Sequence, residues 1–184
     1  DIIQADPQAT NNNYYFDAVG YHFYYDPVRM LQMLTDVRSI LDAHGLENKP
    51  IWLTETNAPP SEDFIEPPSA PPAYRVSLEE QSAFVIQAFA LGLAGGAERI
   101  AFNKLRNEPN HPGSVAPFGL LRADNSRRPA FAAFRQVSDH FAGVQQTSWL
   151  QLGNVYIVTL DRGDQTTTVL WNSAPTPLNY TLNA

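Results

Sequence analysis

The chain has 184 residues, a formal net charge of −7 and a sequence pI near 4.9, with 43% hydrophobic and 17% charged residues. That balance is globular rather than disordered, and the acidic charge, with Arg127-Arg128 as the one adjacent basic pair, excludes a nucleic-acid surface, which needs clustered Lys and Arg. The absence of Cys removes disulfide and thiolate chemistry, and no apolar run approaches the roughly 20 residues a membrane span needs.

The opening DIIQADPQATNNNYYFD lacks the basic-then-apolar pattern of a signal peptide. Asp17–Tyr24, DAVGYHFY, reads as a strand. From Val28 to His44 the period changes, with Leu31, Leu34, Val37 and Leu41 on one helical face and Gly45 as the stop. Pro50–Asn57, PIWLTETN, is a second strand, and its uninterrupted Ile51-Trp52-Leu53 run predicts a strand covered on both faces, with Trp52 in the core. Glu55 lies at that strand's C-terminal end, where parallel α/β folds place ligands and catalytic groups. A lone acid there is equally explained as a solvated loop residue, so its neighbourhood must decide.

A Pro-rich loop follows. Ser77 with Glu80 three residues on makes a capping box for an apolar helix that ends at Gly95-Gly96. Arg99–Asn103, RIAFN, is the third strand, and APFGLLRADNSRRPAF leads into a helix with Phe131, Phe134, Val137 and Phe141 at helical spacing. Strand and helix alternate three times, which predicts a parallel sheet with right-handed crossovers. Beyond Gln145 the runs Ser148–Leu152, Val155–Asp161, Thr166–Asn172 and Leu178–Leu182 are β-rich, with a hairpin at Arg162-Gly163-Asp164. Asn179-Tyr180-Thr181 has the form of a glycosylation acceptor.

Both ends read as cut, because three βα units fill residues 1–144 whereas a closed eight-stranded barrel takes roughly 250 residues. The expected fold class is therefore α/β: the C-terminal portion of a (β/α)8 barrel, strands six to eight, over residues 1–144. The start of an all-β, sandwich-like accessory module is expected over 145–184. A three-stranded parallel sheet exposes its edges, so the expected partner is the missing N-terminal part of the barrel or another chain, and the isolated segment should be marginal or oligomeric.

Nucleotide, serine-hydrolase and zinc-protease signatures are absent: there is no GxGxxG, Walker loop, GxSxG or HExxH. His22, His44, His111 and His140 lack ligand spacing, so no metal is expected.

With DAVGYHFY, PIWLTETN, RIAFNKL and FGLLRADNSRRPAF in place, the chain resembles the C-terminal part of a clan A retaining glycoside hydrolase, nearest to the β-xylosidase and α-L-iduronidase relatives. The resemblance implies a glycosidase with Glu55 as nucleophile and His22 and Tyr24 at pocket positions of the sixth strand. An oligo- or polysaccharide substrate, no cofactor, and an extracellular or cell-envelope location follow from the same resemblance. The family's acid/base residue comes from the fourth strand, usually within an Asn-Glu pair. No such pair occurs here, since Glu47-Asn48 is reversed, so the isolated chain is expected to be inactive.

The residues support those roles on chemical grounds. Retention needs an ionised carboxylate and a proton donor about 5–5.5 Å apart across the anomeric carbon, and a Tyr hydroxyl beside the nucleophile keeps it ionised and oriented. His22 and Tyr24 share a strand face, as pocket groups or as packing aromatics of a buried strand, and Asn57, Asn103 and Lys104 are placed either for sugar hydroxyls or to satisfy the loop backbone. Glu62, Asp63, Glu66 and Glu108 read as solvated loop charge, and Arg127-Arg128 as a solvated turn. The run Asn103-Lys104-Leu105-Arg106 lacks the aromatic platform of many relatives, which keeps a non-catalytic carbohydrate-binding barrel, and a purely structural role, as alternatives.

Overall fold

The computed structural model describes residues 3–68, 76–108 and 117–181. Its elements run β1 (Val19–His22), α1 (Pro27–Ala43), β2 (Ile51–Thr56), α2 (Leu78–Ala94), β3 (Ala97–Phe102), α3 (Pro129–Phe141), β4 (Gln146–Leu152), β5 (Val155–Asp161) and β6 (Thr166–Asn172). The first three strands form a sheet in the order β1-β2-β3, parallel throughout as the alternation predicts, and the last three form a separate antiparallel sheet.

Local sequence sets the helix ends. The Asp26 carboxylate accepts from the Val28 and Arg29 amides with Pro27 at the first helical position, a combination that satisfies free N–H groups and presets φ. At the far end Gly45 takes a φ of +68°, its amide donates to the Asp42 carbonyl at 3.1 Å, and the Leu46 amide donates to Leu41 at 2.9 Å, a Schellman closure. Ser77 and Glu80 form the expected reciprocal capping box on α2.

Both crossover helices cover one face of the parallel sheet. Ile51 and Leu53 of β2 pack there with Met30, Leu31 and Leu34 of α1 and Phe84, Val85, Ala88 and Leu91 of α2. The approach is close at the end of α2, where a Cβ on Gly95 would stand 2.9 Å from the Leu34 Cβ.

Trp52 points the other way, which corrects its expected place in the core. It is half-buried, with the Arg99 guanidinium 4.6 Å from its ring centroid, beside an open groove of about 470 Å3 also lined by Thr54 and Ala101. Among the described residues, β2 is covered by helices on one face only.

In the second sheet, Val158 and Leu160 join the core formed with α2 and α3, and Tyr156 stacks on Trp171 with ring centroids 5.0 Å apart. The opposite face carries Leu150, Ile157 and Leu170 in register across the three strands, with Leu150 and Leu170 exposed. The fourth β-run expected over Leu178–Leu182 is irregular from 178 to 181, and its last residue lies outside the described ones. Prolines 175 and 177 interrupt the approach to it, and proline cannot donate to a ladder. No described helix is long and apolar enough to cross a membrane.

Candidate active site

Glu55 reaches its place through an irregularity in β2. Strict alternation would put residues 51, 53 and 55 on one face, the one buried under the helices. Pairing breaks that rule: Tyr21 lies opposite Leu53 but the next residue, His22, lies opposite Glu55, and Ile100 and Phe102 face Leu53 and Thr56. Seen from both neighbours, β2 carries one extra residue near Thr54. Such a bulge re-aims a side chain, and here it turns Glu55 to the side of His22, away from the helices. The Thr54 hydroxyl donates to the Tyr21 carbonyl at 3.1 Å across the bulge.

The Glu55 carboxylate is then gripped through one oxygen. Its Oε2 accepts a short hydrogen bond from the Tyr24 hydroxyl and a second from Asn103 Nδ2 at 3.2 Å, with His22 Nδ1 at 3.3 Å. Asn103 Nδ2 also lies 2.9 Å from the Tyr24 oxygen, closing a triangle. The side chain stays 36% exposed, and among the described residues no hydrogen bond is made to its other oxygen. All three strands run parallel, so these groups gather at one C-terminal edge, the edge that α/β folds use for ligands.

Burial, and next the hydrogen bond to Glu55, push the Tyr24 phenol up to about 12, against a smaller opposite effect of Asn103. Burial alone pushes Tyr21 up to about 12. An unfolded Tyr titrates near about 10, so between these values the native chain holds protons that the unfolded chain has lost, and stability falls as pH rises through that window. The expected result is a drop in the denaturant midpoint from pH 10 towards 12 that is shallower in Tyr24→Phe. An equal slope in both proteins would show that the Tyr24 hydroxyl is not held in this way.

Of the residues predicted to touch sugar, the structure brings His22, Tyr24 and Asn103 onto Glu55. Asn57 is a correction. It is completely buried, its Nδ2 donates to the carbonyls of Asn103 and Phe118 at 2.6 Å each, and its Oδ1 accepts from the Ala58 amide and from Gln81 Nε2 at 3.3 Å. Every polar atom of its side chain is engaged inside, so it fixes the Asn103 backbone rather than facing a ligand. Lys104 is half-buried, follows Asn103 through a cis peptide bond, and its backbone exchanges hydrogen bonds with Phe118 and Leu120.

Sequence reasoning missed Gln81, which reads as one more polar residue in the first turn of α2 yet is fully buried against Asn57. It also missed a buried charge cluster. Asp63, expected in solvent, is 1% exposed and accepts from Arg122 Nε and Arg128 Nε at 2.8 Å each. Glu66 accepts from Arg128 Nη2 at 3.3 Å and from the Ala123 amide at 3.2 Å. Arg128, expected in a solvated turn, is buried and also donates to the Gly119 carbonyl. Burial would raise the Asp63 carboxyl, but the hydrogen bonds from Arg122 and Arg128 outweigh it and hold the group below the usual carboxylate range. The cluster ties the loop after β2 to the segment after β3.

Among the described residues no cluster of three or more His, Asp or Glu could hold a metal ion. The geometry is that of an oriented, accessible carboxylate with neutral donors around it, suited to attack on an electrophilic carbon or to binding hydroxyls.

The chain is similar in its α/β fold to solved glycoside hydrolases, and the resemblance to clan A enzymes holds at the level of fold. A family 39 glycoside hydrolase from the gut symbiont Bacteroides cellulosilyticus WH2 superposes with a TM-score of 0.66 and 17% identity, over 93% of this chain and 39% of that one. A GH39 enzyme from Xanthomonas axonopodis pv. citri gives 0.53 with 15% identity, and a GH39 β-xylosidase from Caulobacter crescentus gives 0.51 with 14%. Each of these two covers 83% of this chain, which spans 34% of their length. No family model and no curated protein matches the sequence.

Proposed function

We propose that this chain is the nucleophile-bearing part of a retaining glycoside hydrolase. Residues 1–144 are then strands six to eight of a (β/α)8 barrel and 145–184 the start of an all-β accessory module, with further barrel strands adding at the open edges of the parallel sheet. The observation that carries the reading is the Glu55 carboxylate, bulged out of the helix-covered face and fixed by Tyr24 and Asn103 at the C-terminal edge of the sheet. The structural likeness to family 39 enzymes supports it.

In this mechanism a Glu55 oxygen attacks the anomeric carbon, the bond to the leaving oxygen breaks, and an acid from the remainder of the barrel protonates that oxygen. Water then cleaves the glycosyl ester with the same group acting as base. Tyr24, whose phenol stays protonated at any working pH, and Asn103 donate to the carboxylate oxygen and hold its direction. His22 and Lys104 are proposed to bind sugar hydroxyls, the substrate being a β-linked oligo- or polysaccharide and the setting extracellular or the cell envelope. A carboxylate pair performs this reaction without a cofactor. The isolated chain, holding one of the two, is expected to hydrolyse nothing.

The test is covalent trapping. A 2-deoxy-2-fluoro glycoside incubated with the full-length protein should add one sugar to the peptide that contains Glu55, read by mass spectrometry. Labelling of any other carboxylate removes the assignment. A glycan-binding barrel without turnover is the second reading, favoured by the absence of an aromatic ring in Asn103-Lys104-Leu105-Arg106. It predicts oligosaccharide binding with no label at all.

A further inference from the structure

The loop that follows Glu55 carries an apolar tip whose backbone is hydrogen-bonded to a buried carboxylate. Phe64 is 96% exposed and Ile65 66% exposed, and both lie between the buried Asp63 and the anchored Glu66. Single exposed apolar residues are commonplace and decide nothing by themselves. What distinguishes this pair is the clamp. Asp63 Oδ1 accepts from the Ile65 amide at 3.1 Å and the Glu66 amide at 3.4 Å, while the same carboxylate is locked onto Arg122 and Arg128. At its base the loop is closed by the Ser61 amide donating to the Val76 carbonyl at 2.9 Å. The ring is therefore displayed from a fixed turn.

The place of the turn gives the ring a use. The loop leaves the C-terminal edge of β2 two residues after Glu55, and Arg122 and Arg128, which hold it, belong to the segment that leaves the same edge of β3. That segment also carries Phe118, whose ring meets the Tyr24 ring edge-on at 5.4 Å and whose carbonyl is fixed by Asn57. A continuous set of contacts thus links Glu55 to the turn through Tyr24, Phe118, Gly119, Arg128 and Asp63.

We propose that Phe64 is a stacking platform for a sugar unit away from the bond being cut, so that the protein favours extended glycans over single glycosides. The proposal rests on the glycosidase reading and adds a subsite to it. A pyranose ring offers a face of C–H groups, which lie well against the electron-rich face of an aromatic ring. Because the backbone is already ordered, the platform loses little conformational freedom when a ligand arrives. Phe64 also supplies the aromatic surface that the run after β3 lacks.

The test compares Phe64→Ala and Phe64→Trp with the wild type in the full-length protein. The substrates are a β-linked oligosaccharide and the matching para-nitrophenyl monoglycoside. For Phe64→Ala, kcat/KM on the oligosaccharide is expected to fall by about tenfold, the scale of one aromatic contact, with the monoglycoside unchanged, and Phe64→Trp should retain the preference. Equal effects on both substrates, no effect on either, or a loss of folding in Phe64→Ala would overturn the platform. If the wild type turns over neither substrate, the glycosidase reading falls by itself, and calorimetric affinity for the oligosaccharide still decides this question: weakening in Phe64→Ala supports it, and equal or absent binding ends it.

Discussion

Glu55→Gln is expected to lower kcat of the full-length protein on an activated glycoside by about ten-thousandfold or more, the scale seen when a covalent nucleophile is removed. The substitution keeps the volume and one oxygen that can accept from Tyr24 and Asn103, so the surrounding geometry has little reason to move. What disappears is the anionic oxygen that forms the ester. Glu55→Ala provides the complementary observation, because azide can enter the vacated space and attack from the same side. It should restore turnover and release a glycosyl azide of inverted configuration, identifiable by NMR. An activity within tenfold of the wild type in Glu55→Gln would place the nucleophile elsewhere.

Asp63→Ala is expected to cost about 3–5 kcal/mol, the range for removing one partner from a buried ion cluster. Arg122 would remain in the interior without a carboxylate partner and Arg128, itself enclosed, with Glu66 alone. For a chain of this length that loss corresponds to a fall in Tm of about 6–20 °C. The same carboxyl sets an acid limit. Because its folded value is depressed, its contribution is complete above the unfolded value near about 3.9 and is lost as pH falls below it. Calorimetry of wild type and Asp63→Ala between neutral pH and pH 3 checks both statements. A change in Tm of under about 2 °C at neutral pH would mean that the two arginines reach solvent.

The regular elements were legible because their causes are local. Leu31, Leu34 and Leu41 recur at helical spacing, Ser77 and Glu80 cap their own helix, and the alternation of strands and helices dictates parallel pairing. The position of Glu55 at a strand end was legible for the same reason. What escaped detection depends on partners distant in sequence. Asp63 is separated by 59 residues from Arg122 and by 65 from Arg128, and each reads as ordinary surface charge until the two loops meet. Asn57 and Gln81 belong to an internal scaffold rather than the ligand face, because the carbonyls of Asn103 and Phe118 need buried donors. Trp52 was misplaced by a different error, since an unbroken apolar run cannot reveal which face of a strand the helices will cover.

The bulge near Thr54 makes the aim of the carboxylate a matter of counting. Were Thr54 to pair regularly instead of bulging, ordinary two-residue periodicity would carry the acid to the side of Leu53, under the helices, while leaving its identity intact. Pairing in this short stretch is therefore constrained as tightly as composition. A homologous stretch one residue shorter, with its glutamate directly after the leucine, would reach the same side by plain alternation and need no bulge.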